Sequence, residues 1–439
     1  MHTIDQDGPA RPRQALSRTR HAVPVVLVAL VGTTLAGAFA AAVPPGQPYD
    51  EPAHWANVLF YLDHGSMPVL GQPGVQYEAQ MGPVYYALSA AVLALAGGGH
   101  GEASFSLLRA GWLILIPLLA ALTYRLALLV GVRRTSAALG TALVVLNPLV
   151  LAMSASIQND VLCIVLGAAG SLLALQAMKK PDGPLRPHAM AGAVLGLAVL
   201  TKVFALGLVV GLLVAYAVDW RLTAWHRLGR GLAALAAMAA VSGWWFVRNV
   251  ILYGDLTGQS GVAAAGYRFP ALRFSGAGSV LAWGRSLVSY AYAPTEYFRN
   301  AVNAPTWLEA AAVASTGGIV LALLLRWWRS RAAHVRRRPD TRQEPTGYPS
   351  AVVFALAATF VVFIGYAVLA WTSQGIAPRL TFVAAPLAAA LLAWAAESPA
   401  GRAALGAALV VFVVSGVWLA RSVAGLPSMP YWIFGAPHG

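Results

Sequence analysis

Charge is scarce in this chain. Aspartate, glutamate, lysine and arginine make up 10% of its 439 residues, against about a quarter in a soluble globular protein. So few charges exclude a water-facing surface for a domain of this length. Cysteine is nearly absent as well. The single Cys163 lies in an apolar run, which excludes an internal disulfide and leaves the redox compartment unspecified. No fixed-period repeat is evident. No acidic residue falls in the middle of an apolar run, which argues against a proton-coupled transporter, because ion pathways place ionisable groups at membrane mid-depth.

What fills the chain is apolar: 58% of the residues are hydrophobic, with many runs near or above the roughly 20 residues that cross a bilayer as a helix. This is the pattern of an all-α polytopic membrane protein. Eleven spans are expected, at about 23–43, 107–130, 136–153, 160–178, 189–201, 203–219, 230–250, 307–327, 350–371, 380–396 and 403–424. The fifth and sixth are short enough to form a helical hairpin. The apolar segments near 51–64 and 83–97 are too short to cross and are expected to lie at the outer interface. The first run follows the basic leader 1–22 and is long for a signal peptide, so a retained span is expected.

The net charge is +14. In a soluble protein that would suggest nucleic acid; here its distribution matters more, and no nucleic-acid partner is expected. With the N-terminus inside, most of the 30 basic residues fall on inner segments, including a run of arginines from Arg326 to Arg342 in the linker 328–349. The first outer loop, 44–106, contains no lysine or arginine. This is a strong positive-inside bias. Arg109, Lys202, Arg248, Arg268, Arg273, Arg285, Arg299, Arg379 and Arg421 run against it, and an anionic ligand is one reason for cations to sit there. Domain organisation reduces to one transmembrane unit, 23–439, with outer loops 44–106 and 251–306.

The carboxylates gather on that same side. Asp50, Glu51, Asp63, Glu78 and Glu102 lie in the first outer loop, and Asp160 opens the fourth span. In "DEPAHW", Pro52 suits the first turn of a helix, with Asp50 as its cap. Asp50 and His54 are then four apart and face the same way. An ordinary capped helix accounts for the same residues. Trp244 and Trp245 beside Arg248, and the pair Tyr85 and Tyr86, suit either sugar stacking or an interfacial aromatic belt.

The order of these features carries a resemblance. Asp50-Glu51 shortly after the first span, Glu78, the segment Pro83-Val84-Tyr85-Tyr86, Arg109 and Asp160 resemble in order and spacing the opening of the GT-C superfamily of membrane glycosyltransferases, such as the protein O-mannosyltransferase-like and aminoarabinose-transferase-like enzymes. "LTKVF", "GWWFVRNVILYGD" and "PRLTFVAAPLAAALLA" resemble later landmarks. Gly82 stands where the first of two prolines is usual, Gln80 where His or Lys is common, and Arg379 is shifted from its usual setting. The chain also ends soon after its eleventh expected span, without the soluble C-terminal domain some relatives carry.

The resemblance implies a GT-C-like helical bundle in the plasma membrane, with its active face extracytoplasmic. It also implies transfer of a sugar from a polyprenyl-phosphate donor to an extracytoplasmic acceptor, with inversion at the anomeric carbon. Asp50, Glu51 and Asp160 are then the catalytic candidates. Asp50 is the base, because an attacking hydroxyl must lose its proton. His54, Glu78, Tyr85, Tyr86, Arg109, Lys202, Trp244, Trp245, Arg248 and Arg379 are candidates for binding substrate, the cations suiting a lipid phosphate. A divalent ion, Mg²⁺ or Mn²⁺, shared by Asp50 and Asp160 is a further role that would compete with the base role of Asp50. A flippase for lipid-linked sugar, or a non-catalytic envelope-assembly subunit of the same fold, are the rival functions.

Overall fold

The structure is a computed structural model that describes residues 12–48, 50–180, 182–267, 276–298, 302–336, 349–372 and 378–428. Arg268, Arg273 and Arg299, residues 1–11 of the basic leader and residues 337–348 of the linker lie outside these. The described residues are helical throughout, with no strand among them.

The chain begins with α1 (Pro12–Ala42), then the loop helices α2 (Glu51–His64) and α3 (Val84–Leu95). Next come α4 (Glu102–Trp112), α5 (Leu115–Val130), α6 (Arg134–Val145), α7 (Pro148–Ser154) and α8 (Asp160–Met178). The middle holds α9 (Arg186–Val199), α10 (Leu206–Ala217), α11 (Ala224–Tyr253), α12 (Gln259–Ala264) and α13 (Ala277–Tyr292). The last third holds α14 (Thr306–Arg336), α15 (Pro349–Thr372), α16 (Ala385–Ala395) and α17 (Pro399–Ala424).

Seven helical stretches among the described residues are long and apolar enough to span a membrane, and α6 with α7 forms a bent pair that would make an eighth. The remaining expected spans are helical but shorter: α9, the Val203–Ala217 stretch and the Pro378–Trp394 stretch. The predicted segments near 51–64 and 83–97 are the short helices α2 and α3.

Boundaries moved where capping outweighed hydropathy. The prediction starts the seventh span at 230, after the basic residues. Instead α11 begins at Ala224, because Thr223 Oγ1 accepts the His226 amide and caps the helix ahead of Arg227 and Arg230. Likewise Ser398 Oγ caps Gly401 N, and Pro399 opens α17. The 58° bend between α6 and α7 falls at Asn147-Pro148. Proline cannot continue the preceding helix, and Asn147 Oδ1 accepts from Leu149 N and Val150 N to start the next one.

Three interruptions position the site. α2 starts at Asp50–Glu51. The chain leaves α9 at Leu200, passes Lys202 in an extended conformation and re-enters a 3₁₀ turn at Val203–Ala205. A second 3₁₀ turn, Pro378–Ala384, precedes α16 and carries Arg379. Gly82 fits against the first break. A Cβ there would lie 1.8 Å from the Leu200 carbonyl oxygen. Glycine stands where a proline is usual because another backbone occupies the space of its side chain.

Candidate functional site: an acid–cation cluster at the loop end

Asp50 occupies the N-cap position of α2 but makes no side-chain cap, contrary to the expectation from sequence. Its carboxylate turns inward and is 4% exposed. Oδ2 pairs with Nη2 of Arg379. Oδ1 accepts the Tyr77 phenol at 2.6 Å, a charge-assisted length. Asp160 opens α8, where its Oδ1 accepts Lys202 Nζ at 2.7 Å, and its Oδ2 lies 3.8 Å from Arg379 Nε. Arg379 therefore stands between the two acids. Asn159 fixes the Lys202 break. Its amide donates to Thr201 O at 3.1 Å, and its Oδ1 accepts Lys202 Nζ at 3.2 Å.

His54 and Glu78 complete the buried group. His54 Nδ1 lies 2.8 Å from the Tyr86 hydroxyl, and Nε2 lies 3.9 Å from Glu78 Oε1. Burial holds His54 well below its ordinary pKa, helped by the charge of Lys202. Burial also pushes Glu78 up to about 7, against the opposing pull of Lys202. Ligand atoms of Asp50, His54 and Glu78 all lie within 4.8 Å of one another, so the predicted i, i+4 pairing of Asp50 with His54 is present. His54 Nε2 and Glu78 Oε2 are buried without a hydrogen-bond partner.

Glu51 points elsewhere. Its Oε1 accepts Arg109 Nε at 2.7 Å and Ile157 N at 2.9 Å, and its Oε2 accepts Arg109 Nη2 at 2.5 Å and Gly46 N at 3.0 Å. Arg109 also donates to the Val43 carbonyl at 2.6 Å. Both residues are thus engaged by the protein itself, tying together α1, α2, α4 and the turn before α8. Tyr85 packs on Trp112 with ring centroids 5.0 Å apart. Tyr86 reaches the cluster only through His54.

Arg248 lies apart from the acids. Its guanidinium sits 4.6 Å over the Trp245 ring and donates to Pro68 O at 2.6 Å. Trp244 is 42% exposed on α11, its indole bonded within its own helix. The structure brings Asp50, Asp160, His54, Glu78, Lys202 and Arg379 together. Glu51, Arg109 and Tyr85 are held beside that group, while Trp244, Trp245 and Arg248 are not part of it.

Sequence reasoning missed Tyr77, and also Tyr297, whose ring lies 5.6 Å from the Arg379 guanidinium and whose hydroxyl is 2.7 Å from Ser156 Oγ. Tyr77 immediately precedes Glu78 in a loop of polar residues, where a tyrosine gives no periodic signal. Tyr297 lies in a loop far from any residue it serves.

The sequence model of the dolichyl-phosphate-mannose-protein mannosyltransferase family matches residues 48–254, from the start of α2 through α11. The structure superposes on ArnT from Cupriavidus metallidurans, bound to undecaprenyl phosphate, with a TM-score of 0.57 and 17% identity, covering 94% of this chain and 67% of ArnT. The chain therefore shares the fold of ArnT. Two structures of the Archaeoglobus fulgidus oligosaccharyltransferase, also called AglB, match this chain at a TM-score of 0.50 and 14% identity. One is a complex with Zn and sulfate, covering 92% of this chain and 53% of that one. The other is in complex with an inhibitory peptide and a dolichol-phosphate, covering 94% and 57%. The chain thus spans two thirds of ArnT and little more than half of AglB. No curated protein matches it in sequence.

Proposed function

We propose that this chain is a GT-C glycosyltransferase that transfers a sugar from a polyprenyl-phosphate carrier to a hydroxyl acceptor, at the extracytoplasmic face of the plasma membrane. One observation carries the reading. Two acids and two cations from α2, α8, the α9–α10 break and the Pro378–Ala384 turn meet in one buried cluster, with Arg379 between Asp50 and Asp160. ArnT holds undecaprenyl phosphate and AglB a dolichol-phosphate on the same fold.

The chemistry follows from that arrangement. Transfer leaves negative charge on the departing lipid phosphate, and donors aimed at that charge lower the barrier. Lys202 and Arg379 supply four or more N–H groups, and the planar fork of arginine suits phosphate oxygens. In the cluster these groups bind carboxylates. A phosphate drawing Arg379 toward itself frees Asp50 to accept the proton of the attacking hydroxyl. Asp160 keeps Lys202 in place across the exchange. Attack opposite the departing phosphate inverts the anomeric carbon. Glu51 and Arg109 set the position of Asp50 and touch no substrate on this reading.

Asp50, His54 and Glu78 are the residues that would hold a divalent ion. Two of them present buried atoms without a partner toward a common space, and one imidazole nitrogen with two carboxylates suits Mn²⁺ or Zn²⁺ better than Mg²⁺. Asp160, expected as the second ligand, is turned to Lys202 instead. A bound ion would add positive charge near the departing phosphate.

The test is transfer in proteoliposomes loaded with polyprenyl-phosphate sugars, comparing the parent with Asp50→Asn. Loss of transfer with an unchanged melting profile supports the base role. Transfer that survives the substitution overturns it. Movement of the sugar lipid between leaflets without any transfer supports a flippase.

A further inference from the structure

The rim of the cluster holds two tyrosines that the mechanism does not use. Tyr77 is partly exposed, whereas Asp50, His54, Glu78 and Arg379 beneath it are buried. Its ring lies 5.1 Å from that of Tyr267, tilted by 56°. Tyr267 is also partly exposed, and its hydroxyl donates to Gln76 Oε1 at 3.1 Å. The pair leaves aromatic surface open to water directly over the proposed base, bordered by an amide.

The bond from Tyr77 to Asp50 has a second meaning. Asp50 Oδ2 lies on the Arg379 side, where the phosphate is proposed to sit, so the oxygen on the acceptor's side is Oδ1. That oxygen already accepts a hydroxyl, the Tyr77 phenol, at 2.6 Å. An attacking acceptor must present its own O–H to the same atom. The phenol stands where that hydroxyl has to go, approaching from the exposed side. While it stays, it keeps water from the lone pair it uses.

From this geometry we infer that Tyr77 and Tyr267 form the acceptor subsite, that the subsite takes a saccharide ring, and that the Tyr77 phenol occupies the acceptor hydroxyl's place on Asp50 until the ring arrives. The inference rests on the reading of Asp50 as base. A saccharide fits because it has both an apolar face of C–H groups, suited to an aromatic surface, and hydroxyls at its edge, suited to Gln76 and Asp50. An extended peptide is commonly bound by pairing with a free strand edge, and the described residues contain no strand. The ring displaces the phenol, its hydroxyl donates to Oδ1, and Tyr77 turns to lie against the sugar.

The test is saturation-transfer NMR on the detergent-solubilised full chain. The probes are a panel of manno-, gluco-, galacto- and arabino-disaccharides and a short Ser/Thr peptide. Saturation should pass to the ring C–H protons of at least one disaccharide, fall at least fivefold in Tyr267→Ala and persist in Tyr77→Phe. Losing the charge-assisted bond to Asp50, Tyr77→Phe no longer has to be displaced, so it should bind roughly tenfold more tightly than the parent. No saturation of any saccharide, binding of the peptide alone, or binding indifferent to Tyr267→Ala overturns the subsite. Equal affinity of the parent and Tyr77→Phe overturns the displacement. Transfer that survives Asp50→Asn is a different failure, because it removes the base and leaves saccharide binding untouched.

Discussion

Arg109 grips Glu51 along both carboxylate oxygens, at 2.7 Å and 2.5 Å, while the next residue back, Asp50, faces away into a different set of partners. The Glu51 carboxylate also takes two backbone amides. Removing one partner of such a buried pair leaves the other charge uncompensated, at about 3–5 kcal/mol. Glu51→Gln and Arg109→Met should each lower the melting temperature in detergent markedly, and the double variant should lose less than the sum of the two. A double-mutant cycle on thermal melts checks this; additive losses would contradict the coupling.

Lys202 and Arg379 should govern affinity for the lipid phosphate. Arg379→Lys keeps the charge but loses the fork, so binding of undecaprenyl phosphate should weaken by about tenfold or more. Lys202→Met should weaken binding too, and should leave Asp160 buried without its close cation. Native mass spectrometry of the lipid complex reads both effects. Unchanged retention of the lipid in both variants would move the phosphate elsewhere, with the Arg248 site the next to examine.

Glu78 makes stability depend on pH. Its folded pKa, about 7, lies above the ordinary 4.5 because burial disfavours the charge. The folded state therefore holds a proton that the unfolded chain releases. Stability from this group is complete below about pH 4.5 and falls as pH rises through about 7, with a slope of at most about 1.4 kcal/mol per unit. Melts in EDTA should follow that fall, and Glu78→Gln should flatten it. Mn²⁺ or Zn²⁺, by displacing the proton, should raise the melting temperature more at pH 8 than at pH 5. Metal-independent melts at both pH values would remove the ion from the site.

Gly82→Ala tests the contact between the first loop and the α9–α10 break. The added carbon meets the Leu200 backbone at 1.8 Å, where no side-chain rotation relieves it. The loop must move away from Lys202. The expected result is a loss of thermal stability together with weaker lipid binding, whereas Gly101→Ala in the same loop, with open space around it and a negative φ, should leave lipid binding intact.

Orientation is checked with one cysteine. Cys163 is buried, so background labelling is low. Ala103→Cys, exposed in the first turn of α4, should react with a membrane-impermeant maleimide added to intact cells. Protection until the cells are opened would invert the topology.

The helices were legible because membrane crossing demands long apolar runs. Asp160 and Lys202 were legible as acids and cations out of place at span ends. What could not be read was partner choice. Asp50 and Glu51 are neighbours with identical chemistry, and only the fold decides that one meets Arg379 and the other Arg109. Arg379 itself was found as an outlying cation, but its position between two acids depends on a 3₁₀ turn that hydropathy does not resolve. Tyr77 meets the cluster through its hydroxyl and Tyr297 through its ring, single contacts that leave no pattern in the sequence.

The cluster draws Asp50 from early in the chain and Arg379, the cation beside it, from much later. During biosynthesis Asp50 enters the bilayer rim long before Arg379 has left the ribosome. A nascent chain therefore carries that carboxylate without its counter-ion, and the acid–cation cluster is complete only when the final helices have threaded into place.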